Sequence, residues 1–383
     1  MHLTRLRLTD FRAHASSELH PARSLNLVVG ANGAGKTNLL EAISYLCLTK
    51  SFLAARDNHV VRRGANHFEV EGDFAGDARA PFHTRFVALP GEGKRAFINK
   101  APLDRMVDLV GRAPVVVMSP GDRDLTEGGP IERRRFLDAT LSQAFPVYLD
   151  DLVRYRRALR QRNALLQQLR RGRPLAPGSL DAWNEEVAVL GGKITSRRAE
   201  FVRDFDRYLS DAYVELGQPG DPLGMAYAPS VDLGNGVPAE ESLRRGLART
   251  HKRSQDTGRT FVGPHLDEVE FRVGGHDLRV YGSHGQHRTF SLAVRLGQAL
   301  YLRETTDERP ILLLDDVFGP LDPDRTRLVI DLLAGGGVGQ SFITAASEEP
   351  FRAIPSFEIS AHALFHVEQG EVTPYLPEAS PPP

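Results

Sequence analysis

The run Gly30, Ala31, Asn32, Gly33, Ala34, Gly35, Lys36, Thr37 has the residue types and spacing of a phosphate-cradling turn. Its glycines let successive backbone N–H groups point inward, Lys36 sets a positive charge against the outer phosphates, and the Thr37 hydroxyl is placed to reach a magnesium ion. Asn38, the next residue, is counted with the loop. This chemistry is the binding of ATP with Mg2+. Such a loop needs an acidic partner at the end of a neighbouring strand, and the apolar residues 311–314 followed by Asp315 and Asp316 supply one. Asp315 reads as the carboxylate on the metal side and Asp316 as the base that orients the attacking water, which makes Lys36 and Asp316 the expected catalytic residues.

A third element stands about thirty residues before Asp315. Ser283 is placed to cap a helix whose first turn holds Gly285 and Gln286. A helix N-terminus with a serine hydroxyl is a second phosphate site. One chain rarely brings two such sites to the same phosphate, so the natural arrangement is a head-to-tail pair of subunits. In that pair Ser283 to Gln286 of one subunit close over nucleotide held by Lys36 of the other, and Asp322 suits a loop lying against the partner.

The elements that must position these residues follow from periodicity. Strands are expected at residues 3–8 and 24–30, the second running straight into the glycine loop, with a helix from about Lys36 to Leu48. Three alternating runs, at 67–74, 82–89 and 95–100, suit an antiparallel subsheet, and the apolar run 114–120 suits a buried parallel strand. From Phe145 to Leu216 the pattern is helical, with Leu152, Leu159 and Leu166 seven apart and a Gly- and Pro-rich tip at 172–179. This predicts a helical hairpin whose second helix is weakened at Gly191 and Gly192. The stretch 217–238 reads as a loop, followed by strands at 268–273 and 276–280, a helix from about 286 to 304, and a terminal strand ending in Asp315.

These expectations define an α/β P-loop NTPase of ABC-ATPase head type, with an antiparallel β-subdomain and an inserted α-helical lobe carrying a short hairpin. The ATPase core takes residues 1–120 and 260–383, with the signature segment 281–304 counted in it. The helical lobe takes 121–259, and 371–383 form a flexible tail. The chain has 383 residues, a net charge of −1 and one cysteine, Cys47. No disulfide is possible within it, and neither a signal-like start nor an eighteen-residue apolar run is present, so a soluble, cytoplasmic protein with no membrane partner is expected. His276, His284 and His287 lack the ordered spacing of a metal site. His265 and Asp267 are either buried and hydrogen-bonded or in contact with nucleotide. Cys47 and Trp183 read as core.

Together, the motifs TDFRAH, GANGAGKTNLLEAI, GGPIERRRFLD, GPHLDEVEF, GSHGQHR and LLLDDVFGPLD resemble the ATP-binding-cassette superfamily. Within it the likeness is to the RecF family of bacterial recombination mediators, short-armed relatives of the chromosome-maintenance proteins. The resemblance implies an ATP-dependent homodimer that binds double-stranded DNA near single-strand gaps, at ssDNA–dsDNA junctions, and helps RecR and RecO load RecA. It also implies that Arg12 approaches nucleotide phosphates and that Asp322 is the acid of the D-loop. Two departures from the superfamily pattern point to slow hydrolysis: His284 stands where transporter cassettes have glycine, and no switch histidine follows the last core strand. Asp316 is also one methylene shorter than the usual glutamate. The activity implied is a weak DNA-dependent ATPase acting as a switch.

Net charge gives no DNA signal, but local charge does. Between Arg154 and Arg173 stand eight arginines, Arg154, Arg156, Arg157 and Arg160 among them, and no acid, while 244–253 adds five more Lys or Arg. A one-signed excess of this kind neutralises phosphates without reading bases. Arg133, Arg134 and Arg135 are alternatively part of a junction between a strand and the arm. Competing readings are the motor subunit of a membrane transporter and a structural DNA tether; the arginine-rich hairpin stands against the first and the shortness of the arm against the second.

Overall fold

The computed structural model describes residues 1–383 apart from 54–56, 90, 92, 218–220, 235, 319–322, 349–361 and 376–383. The chain divides into two compact units: Met1–Asp122, Asp211–Pro219 and Leu292–Pro383 form the first, and Arg123–Ser210 and Gly220–Ser291 the second.

In the first unit, β1 (His2–Phe11), β2 (His14–Leu19), β4 (Phe68–Ala75), β5 (Phe82–Leu89), β6 (Gly93–Ile98) and β7 (Ala101–Pro102) build an antiparallel sheet in the order β2-β1-β4-β5-β6-β7. The alternation of buried and half-buried residues along β4 and β5 is the period-two pattern of a sheet with one face on a core. A second sheet has the order β15-β14-β3-β13-β12-β8, from β3 (Leu25–Val29), β8 (Val115–Met118), β12 (Ile311–Asp315), β13 (Ser341–Ala345), β14 (His362–Glu368) and β15 (Glu371–Tyr375). All its pairings are parallel except that of the edge strand β15. β3, β12 and β13 are buried at every residue, as strands covered on both faces must be.

Helix α1 (Lys36–Leu48) packs against strands of both sheets. Residues 39–47 of it are all buried, which suits a helix with neighbours all round. Phe11, Tyr45 and Phe68 meet edge to face in this core, and Cys47 is buried in it. The strand at Glu371–Tyr375 takes up the start of the expected tail; residues 376–383 lie outside the described residues.

The second unit is mainly helical. It holds α2 (Arg123–Glu127), α3 (Pro130–Ala144), α4 (Pro146–Arg170), most of α5 (Ser179–Glu215), α6 (Ala239–Arg249), α7 (His251–Thr257) and α8 (Leu278–Tyr281), with the start of α9 (His284–Thr306). α10 (Pro323–Ala334) belongs to the first unit. α4 and α5 are the two arms of the expected hairpin. α5 runs unbroken for 37 residues, contrary to the weakening expected at Gly191 and Gly192. A Cβ on Gly192 would stand 2.6 Å from the Glu240 nitrogen, so the glycine admits a neighbouring backbone rather than breaking the helix.

Three further departures from the sequence reading have local causes. Leu223–Ala228 inside the supposed 217–238 loop is β9, paired antiparallel with β10 (Glu268–Val273). The strand expected at 276–280 ends after the two-residue β11 (His276–Asp277), because the Asp277 side chain accepts from the Arg279 N–H and opens α8. Since β9, β10 and β11 form their own sheet in the second unit, the unit boundary falls after Ser291 rather than at 260.

Candidate nucleotide site

Strand order places the site. β13 lies between β3 and β12, with Thr344 opposite Val28 on one side and Asp315 on the other. The loop that leaves β3 therefore faces the C-terminal ends of two parallel strands, the usual ligand edge of an open α/β sheet. Thr37 Oγ1 donates to Asp315 Oδ1 at 2.7 Å, and Thr344 Oγ1 donates to the same oxygen at 2.8 Å. The Thr344 hydroxyl also accepts the Asp316 N–H at 2.9 Å. Asp316 itself is exposed and left-handed, with φ of 48°, a region that aspartate tolerates better than most residues.

Lys36 Nζ donates to the carbonyls of Gly30 and Ala31 at 2.8 and 3.0 Å, bending back over the loop. Burial lowers its proton affinity, and the carboxylates of Asp316 and Asp315 oppose that. Gly35 precedes α1 with φ of 114° and no side chain caps the helix; the Asn38 N–H turns back to the Gly35 carbonyl, and the N–H groups of Lys36 and Thr37 are left for an anion. Asn32, Gly33, Gly35, Lys36, Thr37, Asn38, Asp315, Asp316 and Thr344 line one cavity of about 380 Å³. Hydroxyl and carboxylate oxygens at one end and N–H donors at the other fit a magnesium–triphosphate pair.

Two turns clamp this loop, a contact that sequence reasoning did not find. His14, fully buried, has Nε2 3.1 Å from the Gly35 carbonyl and Nδ1 2.9 Å from Ser17 Oγ. Ser17 Oγ lies 3.1 Å from the Gly370 carbonyl, and the Gly370 N–H donates to the Ala34 carbonyl at 2.9 Å. Gly370 has φ of 85°, and a Cβ on it would lie 2.2 Å from the Ala13 carbonyl. A Cβ on Gly30 would be as close to the Val367 carbonyl. The β1–β2 turn holds Gly35, the β14–β15 turn holds Ala34, and strand β14 lies close against Gly30. Burial lowers the His14 pKa; in the neutral ring the proton belongs on Nε2, because the Gly35 oxygen only accepts.

Arg12 is not directed into the cavity. Its guanidinium makes a two-point pair with Glu41, both bonds 2.8 Å, and donates to the His59 carbonyl. Glu41 is fully buried on α1, so the pair supplies the counter-charge that a buried carboxylate requires. Any contact of Arg12 with phosphate would begin by releasing Glu41.

Ser283 and Gln286 form a reciprocal cap: the Gln286 N–H donates to Ser283 Oγ at 3.2 Å, and the Ser283 N–H to Gln286 Oε1 at 2.8 Å. Ser283, His284, Gly285 and Gln286 are exposed. Asp322 lies outside the described residues. His265 and Asp267 belong to the second unit: His265 Nδ1 is 2.6 Å from the Tyr155 hydroxyl, while buried Asp267 accepts from the Tyr227 hydroxyl and the Ser230 N–H and lies 3.7 Å from Arg198. They hold a fold.

The basic runs divide once their neighbours are known. Arg154 and Arg156 are exposed but shared with Glu186 and Asp138, whereas among the described residues Arg157 and Arg160 make no ion pair. Arg162 is fully buried, bonded to Asn184 and Thr260, and cannot meet DNA. In the 244–253 run, Arg244 pairs with Glu185, Arg245 with Glu241, and Arg253 stacks on Phe261, so much of its charge is already met.

Among the described residues no group of His, Cys, Asp and Glu is placed to hold a metal by itself, and no helix is long and apolar enough to cross a membrane.

Residues 5–99 match the family model described as an AAA domain. Over 97% of its length the chain is 46% identical to the DNA replication and repair protein RecF of Salinibacter ruber, covering 91% of that protein. It is 40% identical to RecF of Chloroherpeton thalassium, covering 98% of it. A solved structure of the recombination mediator protein RecF with ATPrS superposes with a TM-score of 0.88 at 28% identity, over 98% of both chains. The head of an Smc protein bound to the C-winged helix domain of ScpA shares the fold, with a TM-score of 0.54 at 15% identity over 99% and 98% of the chains.

Proposed function

The chain belongs to the RecF family of DNA replication and repair proteins, and from that premise we propose that ATP closes two copies of it head to tail into a DNA-binding clamp. One observation carries the reading. The Thr37, Asp315 and Thr344 oxygens converge beside the uncapped start of α1, forming a nucleotide site with an open outer side. The exposed Ser283, Gly285 and Gln286 of a second copy would cover that side with another helix N-terminus.

The residues divide the work. Backbone N–H groups of 33–37 and the Lys36 ammonium bind and orient the phosphates. Thr37 and Asp315 would hold Mg2+, which when bound neutralises charge on the outer phosphates. Asp316 takes a proton from water at its carboxylate, and its short side chain suits slow hydrolysis that opens the clamp. Thr344 ties the Asp315 carboxylate to the Asp316 backbone N–H. Nucleotide shared between two copies adds binding free energy only to the dimer, which couples ATP to assembly. The family premise extends the proposal to duplex DNA at junctions with single strands, to RecR with RecO in loading RecA, to a weak DNA-dependent ATPase, and to a cytoplasmic place of action.

Sedimentation of the full chain with and without ATP and Mg2+ tests the clamp. The wild type should shift from monomer to dimer with ATP, and Lys36→Met should remain monomeric. A wild type that stays monomeric while binding ATP refutes the coupling.

A further inference from the structure

The second unit contains a cavity of about 210 Å³ walled by α3, α4, Arg198 of α5, and Pro264 and His265. A space of this size admits a tetrahedral oxyanion. Its charged lining is Arg134, Arg135, Arg156 and Arg198 against one carboxylate, Asp138. That carboxylate is already occupied: it accepts from Arg198 at 2.7 Å, from Arg156 at 2.9 Å and from the Tyr148 hydroxyl at 2.6 Å. Exposed Arg135 is partnered by Glu132 on its own helix.

Arg134 is different. It is half-buried, and among the described residues it makes no ion pair; its hydrogen bond is from Nη1 to the Asp267 carbonyl at 2.7 Å. Burial and the neighbouring Arg198 both weaken its hold on its proton, and the carboxylates of Glu268, Asp267 and Asp138 offset this only in part. A guanidinium kept there faces a standing electrostatic cost that an anion in the cavity would remove. The other polar wall does not supply charge: His265 is pushed down to about 4 and its Nδ1 faces the Tyr155 hydroxyl.

Beyond the cavity mouth α4 carries Arg157 and Arg160, exposed and without ion pairs among the described residues. Arg156 at the rim and Arg160 lie four residues apart, about 6 Å along the axis. A row of cations leading from a cationic cavity suits a ligand with repeated charges. A single carboxylate would use only one of them.

We propose that this cavity seats a backbone phosphate of duplex DNA, with Arg134 as the deepest ligand and Arg135 and Arg156 at its rim. The inference rests on the DNA-binding reading above and names one of its contacts. Shape and charge, not base identity, would be read there.

The test is duplex binding by the full chain with ATP, followed by fluorescence anisotropy across a salt series, with inorganic phosphate titrated separately and followed by 31P line broadening. Arg134→Ala should bind duplex about tenfold more weakly, with the slope of log K against log salt reduced by about 0.9. Arg135→Ala, exposed and so unable to disturb the core, should reduce the slope in the same direction. Arg134→Lys should keep the wild-type slope. ATP binding and thermal melting provide the check that the variants are folded. If the wild type binds no duplex, the DNA reading itself fails. If the wild type binds and both alanine variants match it in affinity and slope, the cavity assignment is overturned while the DNA reading stands. Phosphate binding that depends on Arg134, with duplex binding that does not, would make this a site for free anion and also overturn the proposal.

Discussion

Replacing His14 with alanine probes how firmly the two turns hold the phosphate loop. The imidazole is fully buried and bridges the Gly35 carbonyl, at 3.1 Å, to Ser17 Oγ, at 2.9 Å. Its bond to Gly35 is worth about 1 kcal/mol net, and the space left by the ring adds about 2 kcal/mol, so global stability should fall by about 3 kcal/mol. The effect on nucleotide is separable from this. Gly35 keeps its bond from the Asn38 N–H, so the turn loses one of two restraints. Losing about 1 kcal/mol of restraint lowers the equilibrium constant for the binding-ready turn about fivefold, so the apparent Kd for ATP should rise, by at most about fivefold. Urea unfolding gives the first number and titration with a fluorescent ATP analogue, under conditions where the variant is folded, gives the second. His14→Gln, whose amide N–H can reach the same carbonyl, should recover most of the affinity even if it recovers little stability. Wild-type affinity in His14→Ala would show that the ring only fills space, and the clamp argument would be wrong.

Gly192→Ala should destabilise the protein although alanine is the better helix former by about 0.8–1.0 kcal/mol. The new Cβ would lie 2.6 Å from the Glu240 nitrogen and 2.7 Å from its Cα. Overpacking of this kind costs about 1–3 kcal/mol, so a net loss near 1 kcal/mol in denaturant melts is expected and a gain would refute the close-approach reading. Acid stability should depend on His265, which burial pushes down to about 4 from 6.5. Between those values the unfolded ring binds a proton and the folded ring does not, so stability rises with pH through the window and is lost as pH falls from 6.5 toward 4. In His265→Gln the slope of stability against pH there should be smaller by up to about 1.4 kcal/mol per pH unit. Urea melts at about pH 6.5 and about pH 4.5 read this difference, and an unchanged slope would mean that His265 already titrates normally.

The phosphate loop and Asp315 were legible in the sequence because each is a contiguous pattern whose mechanism fixes its spacing. The clamp around them was not, because its contacts join residues 21 and 353 positions apart. Thr344 could have been inferred: once β3, β13 and β12 are placed side by side, a hydroxyl at the end of the middle strand must lie between the loop and the carboxylate. The β9 strand escaped notice because Leu223–Ala228 sits in Gly- and Pro-rich surroundings and is fixed by pairing with β10, forty-odd residues on. The arginine run teaches a different lesson, since its sorting signal was present but unused. Leu152, Tyr155, Ala158, Arg162 and Leu166 are the buried residues of one α4 stripe at spacings of three and four, so helical period alone puts Arg162 inside while Arg157 and Arg160 stay out. Counting charge along the chain treats these alike. What decides whether a cation is available is the face it occupies and the acid opposite it. By that criterion Arg162 is excluded by burial and Arg244 by Glu185. Arg134, which the sequence offered only as part of a junction, becomes the cation with the strongest claim on an anion.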